Sequence, residues 1–200
     1  MRIILFVLAL VWSLPAAALD VRELTTPGGI DLWFVEDHTI PILSADIAFR
    51  GGAADDPADK AGLSKMAMSL LDEGAGDMDA AAFQAALEER GISLGFDAGS
   101  DTLSGELTTL TLHAGRAFEL LALALGAPRF DEQSVEKIRA QLLGLIARGQ
   151  QSPDALASQA WFAMAFPDDG YGRPADGTLE TVKALSRADL QSFAKTRLVK

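Results

Sequence analysis

DHTIPILSADIAFRGGAADDPADKAGLSKMAMSLLDEGAG, residues 37–76, is the stretch from which the fold is read. Within it, ILSADIAFR over 42–50 partly alternates apolar with polar residues and predicts a strand. GGAADDP (51–57) is small and acidic and reads as a loop. Leu63, Met66, Ala67, Leu70 and Leu71 then recur at helical spacing, which predicts a helix over 59–72. Glu73-Gly74-Ala75-Gly76 stops it, with glycine placed for a C-cap.

Outward from this stretch the signals alternate in blocks. Upstream, 21–26 and 31–36 read as two strands joined at Pro27-Gly28-Gly29, a hairpin. Downstream, Asp79 as N-cap and Gly91 as stop bracket a helix over 79–90, with Phe83 and Leu87 facing the core. Two strands follow, 92–97 and 102–110, split by Ala98-Gly99-Ser100-Asp101; in the second, Leu103, Gly105, Leu107 and Thr109 share a face. A helix over 114–125 is apolar almost all round and is expected to be buried. A longer helix covers 132–149, and Ser152-Pro153 opens another that runs to Phe166. After a loop at 167–177 come two short helices, with Ser186 and Asp189 approximating a capping box. The order β-β-β-α-α-β-β-α-α-α-α-α pairs strands as hairpins and gathers helices in runs. It predicts an α+β fold, an antiparallel sheet covered by helices, rather than a doubly wound parallel sheet.

The chain has 200 residues, 49% hydrophobic and 22% charged, which is a globular composition. With 28 acidic and 17 basic residues its formal net charge is −11, a field that disfavours nucleic acid and favours basic peptides. Cysteine is absent, so disulfides, thiolate catalysis and Cys-ligated metal sites are excluded for these residues. Residues 1–18 read as a cleavable signal peptide: Arg2, an apolar run from Ile3 to Leu14, then Pro15 and Ala16-Ala17-Ala18. Cleavage after Ala18 would leave a domain over 19–200 with no stable membrane anchor and send it to the periplasm or the exterior. The chain stops at Arg197-Leu198-Val199-Lys200 as a new apolar run begins, and is expected to be a piece of a longer protein.

The search for chemistry returns little. There is no P-loop, no G-x-G-x-x-G after a strand and no G-x-S-x-G elbow. The two histidines, His38 in a polar turn and His113 between a strand and a helix, are far apart in sequence and read as exposed or capping imidazoles.

Taken in order and spacing, a set of small pieces resembles the N-terminal domain of the pitrilysin/insulinase family of zinc metallopeptidases, to which the mitochondrial processing peptidase belongs. The pieces are Pro41, Phe49, Gly52-Ala53, Asp56-Pro57, Gly62-Leu63-Ser64 and Gly74. Further along they are Gly91, Pro153-Asp154, Tyr171-Gly172-Arg173-Pro174 with Gly177, and Leu185-Ser186 with Asp189-Leu190. The resemblance covers 21–200 and implies a missing homologous C-terminal domain.

The departures are as telling as the matches. Active members carry H-x-x-E-H on the helix after Gly-Leu-Ser, two histidines for zinc and a glutamate for the attacking water. Here residues 65–69 read Lys65-Met66-Ala67-Met68-Ser69. Lys65 stands for the first histidine, Met68 for the glutamate and Ser69 for the second histidine. The family's third ligand, a glutamate on the later long helix, falls by counting at Leu145, and no glutamate lies between Lys137 and Pro153. The strand that helps hold substrate in active members appears as Leu94-Gly95-Phe96-Asp97, also a departure. Met66 and Met68 then read as core packing, and Lys65 as a solvated stem or as a cation that replaces the metal's charge beside an Asp or Glu.

The resemblance therefore implies a chain with no catalytic, cofactor-binding or metal-binding residues of its own, and not an enzyme by itself. It would be the inactive half of a heterodimer, a subunit that closes a peptide-degrading or processing chamber with an active, zinc-bearing H-x-x-E-H paralogue. The alternative is a standalone periplasmic peptide-binding or scaffold protein; an enzyme of unrelated chemistry on the same fold is a third reading.

Overall fold

The computed structural model describes residues 20–199, so the predicted signal peptide lies outside the described residues. The chain divides into two compact units, with the boundary between Ile40 and Pro41.

The first unit is the predicted hairpin. Strands β1 (Val21–Thr25) and β2 (Asp31–Val35) pair antiparallel, from Val21 opposite Val35 to Thr25 opposite Asp31. The turn closes because Gly29 takes a left-handed φ of 72° and the Ile30 N–H donates to Thr26 Oγ1 at 2.9 Å.

The second unit is built on a three-stranded antiparallel sheet in the order β3 (Ile42–Arg50), β5 (Thr102–Leu110), β4 (Ser93–Ala98). β4 and β5 form the predicted hairpin, with Ala98 opposite Leu103. On β5 the expected face, Leu103, Gly105, Leu107 and Thr109, is buried, while Thr102, Glu106, Thr108 and Leu110 are exposed. The helices are α1 (Leu63–Met68), α2 (Ala80–Glu88), α3 (Ala114–Gly126), α4 (Glu132–Gly149), α5 (Pro153–Ala165), α6 (Leu179–Ala184) and α7 (Arg187–Arg197), and all but α5 contribute buried side chains. One core cluster joins α1 to Val135, Ile138 and Leu142 of α4 and to Leu190 and Phe193 of α7. The other joins Phe83 and Leu87 of α2, Leu120 and Leu121 of α3, and Leu107 of β5. The fold is α+β with an antiparallel sheet covered by helices, as the order of elements predicts.

Two expectations are corrected. The helix expected over 59–72 is regular only from Leu63 to Met68; residues 58–60 form a 3-10 turn. Gly62, at φ 90° and ψ 0°, is left-handed and breaks the run, and a Cβ there would lie 2.7 Å from the Asp176 carbonyl oxygen. Gly62 offers α1 no capping side chain, so Asp56, eight residues before Ser64, does so. It accepts from the Ser64 N–H at 3.0 Å and from Ser64 Oγ at 2.6 Å. Burial pushes the Asp56 carboxyl above the usual carboxylate range, against the pull of those bonds. The second correction concerns α3, which buries only the stripe Ala117, Leu120, Leu121 and Ala124; Phe118 on its other side is exposed.

The 51–57 loop is gripped by distant parts of the chain. Gly51 and Ala53 N–H groups donate to the Asp101 and Gly99 carbonyls at 2.9 Å. Arg173 Nη2 donates to the Ala54 and Asp56 carbonyls at 2.8 Å, and Arg197 Nη2 to the Gly52 carbonyl at 3.1 Å. Lys60 Nζ reaches Asp189 at 2.5 Å, and the Ser186/Asp189 capping box forms as predicted.

Candidate functional site

Lys65, Met68 and Ser69 stand at i, i+3 and i+4, so α1 carries them on one face. The Lys65 side chain turns toward the sheet. Its Nζ donates to Asp97 Oδ1, 2.5 Å away on the edge strand β4. The pair is only half shielded, with Lys65 28% and Asp97 62% exposed, so it adds little stability. Its effect is to set an ammonium beside a carboxylate at this face. The sequence left Lys65 as either a solvated stem or a cation beside an Asp or Glu; Asp97 is found only when β4 is laid beside α1.

Met68 has no exposed surface and sits in the first core cluster with Phe130 and Leu142. Its unbranched thioether fills space that a carboxylate could occupy only at high cost. Ser69 is the C-cap of α1, its N–H donating to the Lys65 carbonyl at 3.1 Å. Leu145 is not brought to this face. Leu142 and Ile146 pack into the core that holds Met68, whereas Leu145 is 41% exposed. The turn after α1 is moored to α4 by Lys137 Nζ on Glu73 Oε1 at 2.7 Å and by Ser134 Oγ on the Glu73 carbonyl at 3.2 Å, ties that the sequence did not signal.

A protein zinc site takes three or four donors from imidazole, thiolate or carboxylate. This face offers an ammonium, a buried thioether and a hydroxyl, so the residues present do not fit zinc. Among the described residues, no three His, Asp or Glu side chains converge as a metal site would need. His38 Nε2 lies 3.1 Å from Glu36 in an exposed segment, and His113 precedes α3 without capping it through its side chain.

Leu145 instead lines a cleft of about 670 Å³, together with Arg148, Phe162, Tyr171, Arg173 and Thr178. On its rim the Tyr171 hydroxyl donates to Asp101 Oδ1, and that bond raises the phenol above its ordinary pKa. Among the described residues, no helix is long and apolar enough to cross a membrane.

No protein-family profile matches the chain. The chain is 28% identical over 194 residues to a protein of Helicobacter pylori named non-peptidase homolog YmxG, covering 96% of this chain and 45% of that protein. It is 27% identical over 179 residues to an uncharacterized zinc protease of Mycobacterium tuberculosis, covering 90% of this chain and 41% of that one. Its structure matches the peptidase M16 inactive domain from Pseudomonas fluorescens with a TM-score of 0.82 at 26% identity, over 88% of this chain and 43% of that one. Pitrilysin shares the fold, with a TM-score of 0.77 at 17% identity over 92% of this chain and 20% of its own. The chain thus spans under half the length of the curated relatives it matches. By sequence the chain is similar to a non-peptidase homolog and to zinc proteases, and by fold it matches a peptidase M16 inactive domain and pitrilysin.

Proposed function

We propose that this chain is a non-catalytic subunit, exported by its leader, that pairs with an active H-x-x-E-H zinc peptidase paralogue to close a chamber around peptide. The observation that carries the reading is the face of α1. Lys65 stands on Asp97 and Met68 is sealed in the core, at the positions where the resemblance puts a zinc ligand and the water-activating glutamate. An ammonium repels a divalent cation, and a thioether cannot take a proton from water. The partner supplies metal and base; this chain supplies wall and charge. Its acidic surplus of 28 against 17 draws basic peptides toward the chamber.

The test is made on purified residues 19–200. Metal analysis is expected to find no stoichiometric zinc, and peptide hydrolysis is expected only after mixing with the paralogue from the same host. Stoichiometric zinc in the lone chain, or hydrolysis by it alone, overturns the reading.

A further inference from the structure

Helix α5 contradicts the rule by which the other helices are built. Its thirteen residues, PDALASQAWFAMA, carry only Asp154, Ser158 and Gln159 as polar side chains. A helix apolar on nearly all sides is normally enclosed by protein. Yet none of its residues is buried. Trp161 is 56% and Met164 76% exposed, and Leu156, Phe162 and Phe166 are also open. Among the described residues its main neighbour is the Gly170–Gly172 turn.

The aromatic rings are gathered rather than scattered. Trp161 meets Phe162 edge-on at 4.9 Å, Phe162 stacks on Phe166 at 6.1 Å, and Phe166 lies 5.5 Å from Tyr171. Phe162 also lines the cleft of about 670 Å³. The open surface of these side chains amounts to roughly 500 Å², at the upper end of what a lone soluble chain displays. A helix this short is marginal in water without packing.

The place where the polypeptide leaves the fold selects the cover. Arg197, the last residue of α7, donates through Nη2 to the Gly52 carbonyl at 3.1 Å and lies 3.8 Å from Asp55. Ala53 and Ala54, between those two contacts, line the cleft. A polypeptide continuing past α7 therefore emerges within an arginine's length of the cleft wall. The relatives have such a remainder, since the part matched here is 45% of the Helicobacter protein and 43% of the Pseudomonas one. A tethered segment meets a nearby face at an effective concentration of about millimolar, with no second molecule required. A second copy is disfavoured by charge: from Ser152 to Gly170 the charged side chains are Asp154, Asp168 and Asp169, and two copies meeting at α5 would set those carboxylates against one another. We infer that α5 and the cleft beside it are the intramolecular seat of the stretch of this polypeptide that follows Lys200, which lays an apolar surface over Trp161, Phe162 and Met164. The inference goes beyond the heterodimer reading and does not depend on it; it rests on the C-terminal half that the resemblance implies.

The test uses the whole polypeptide of the native reading frame, without any partner. Peroxide oxidises a methionine according to its exposure, and mass spectrometry reads Met164 by itself. In the native whole polypeptide Met164 is expected to oxidise about tenfold or more slowly than in the same polypeptide unfolded in urea, at a rate independent of protein concentration. In residues 19–200 alone it is expected to oxidise within about twofold of the unfolded rate. Trp161→Asp changes an exposed position outside both core clusters, and in the native whole polypeptide it is expected to return Met164 toward the unfolded rate. Met164 oxidised at the unfolded rate in the native whole polypeptide, protection indifferent to Trp161→Asp, or a reading frame that ends at Lys200 overturns the inference. Equal protection in residues 19–200 alone, protection that grows with protein concentration, or protection gained only on adding the H-x-x-E-H paralogue overturns the choice of occupant. Zinc content and hydrolysis judge the heterodimer separately, so either reading can fail without the other.

Discussion

Met68→Glu returns to α1 the side chain that would activate water in a working relative, and the structure says what that return costs. Met68 has no exposed surface, and its surroundings in the core are apolar, Phe130 and Leu142 among them. The cation one turn away, Lys65, is already engaged with Asp97. Truncating a buried methionine to alanine costs about 2–5 kcal/mol, and exchanging it for leucine less than about 1.5 kcal/mol. Met68→Glu forfeits the same packing and adds a carboxyl without a partner. We therefore expect a loss of about 3–5 kcal/mol near neutral pH, less where the carboxyl is protonated. For a chain of this size that is a fall in Tm of about 8–15 °C. Urea denaturation followed by circular dichroism, with Met68→Leu as the size-matched control, measures it. If Met68→Glu stays within about 1 kcal/mol of the unaltered protein at pH 7–8, then the position is open to water and the reading of a sealed site is refuted.

Three further outcomes are expected. Lys65→Ala and Asp97→Asn each change stability by no more than about 1 kcal/mol, and the effect shrinks in 1 M salt; a larger or salt-independent effect in urea titrations would contradict the half-shielded geometry. Asp189, held down to about 2 by its bonds to Lys60 and Ser186, stabilises the fold fully above pH 4. That contribution drains away as pH falls from 4 through 2, so the gap between the unaltered protein and Asp189→Asn closes over that window, while Asp56, raised by burial, acts in the opposite sense above pH 4. Gly62→Ala forces a left-handed residue to carry a Cβ against the Asp176 carbonyl and lowers stability by about 1–3 kcal/mol; an unchanged Tm would refute the strain.

Much of the fold was legible because local rules and tertiary packing agree there. β3 and β5 lie where alternation put them, and so does the inward face of Leu103, Leu107 and Thr109. α4 and the Ser186/Asp189 cap follow periodicity and capping chemistry. What was not legible depends on partners far away in sequence. The short α1 follows from a left-handed glycine wedged under the 176–177 backbone and from a cap supplied by Asp56, neither of which periodicity can see. The exposed flank of α3 was misread because composition reports apolarity and not which side finds a neighbour. At the candidate site, the replaced residues could be named by counting along the chain, but Asp97 and the displacement of Leu145 from the face of α1 needed the helix and strand set side by side.

The grip on the 51–57 loop also has a temporal side. Its clamps come from residues 119 and 145 positions downstream, Arg173 on Ala54 and Arg197 on Gly52. A ribosome adding 5–20 residues per second delivers the last of them roughly 7–30 s after the loop itself emerges. Through that delay the loop has only its bonds to the 99–101 backbone, and the segment that launches α1 stays pliable. Under the export reading proposed above, late closure of this sort would keep the polypeptide threadable until α7 has been made.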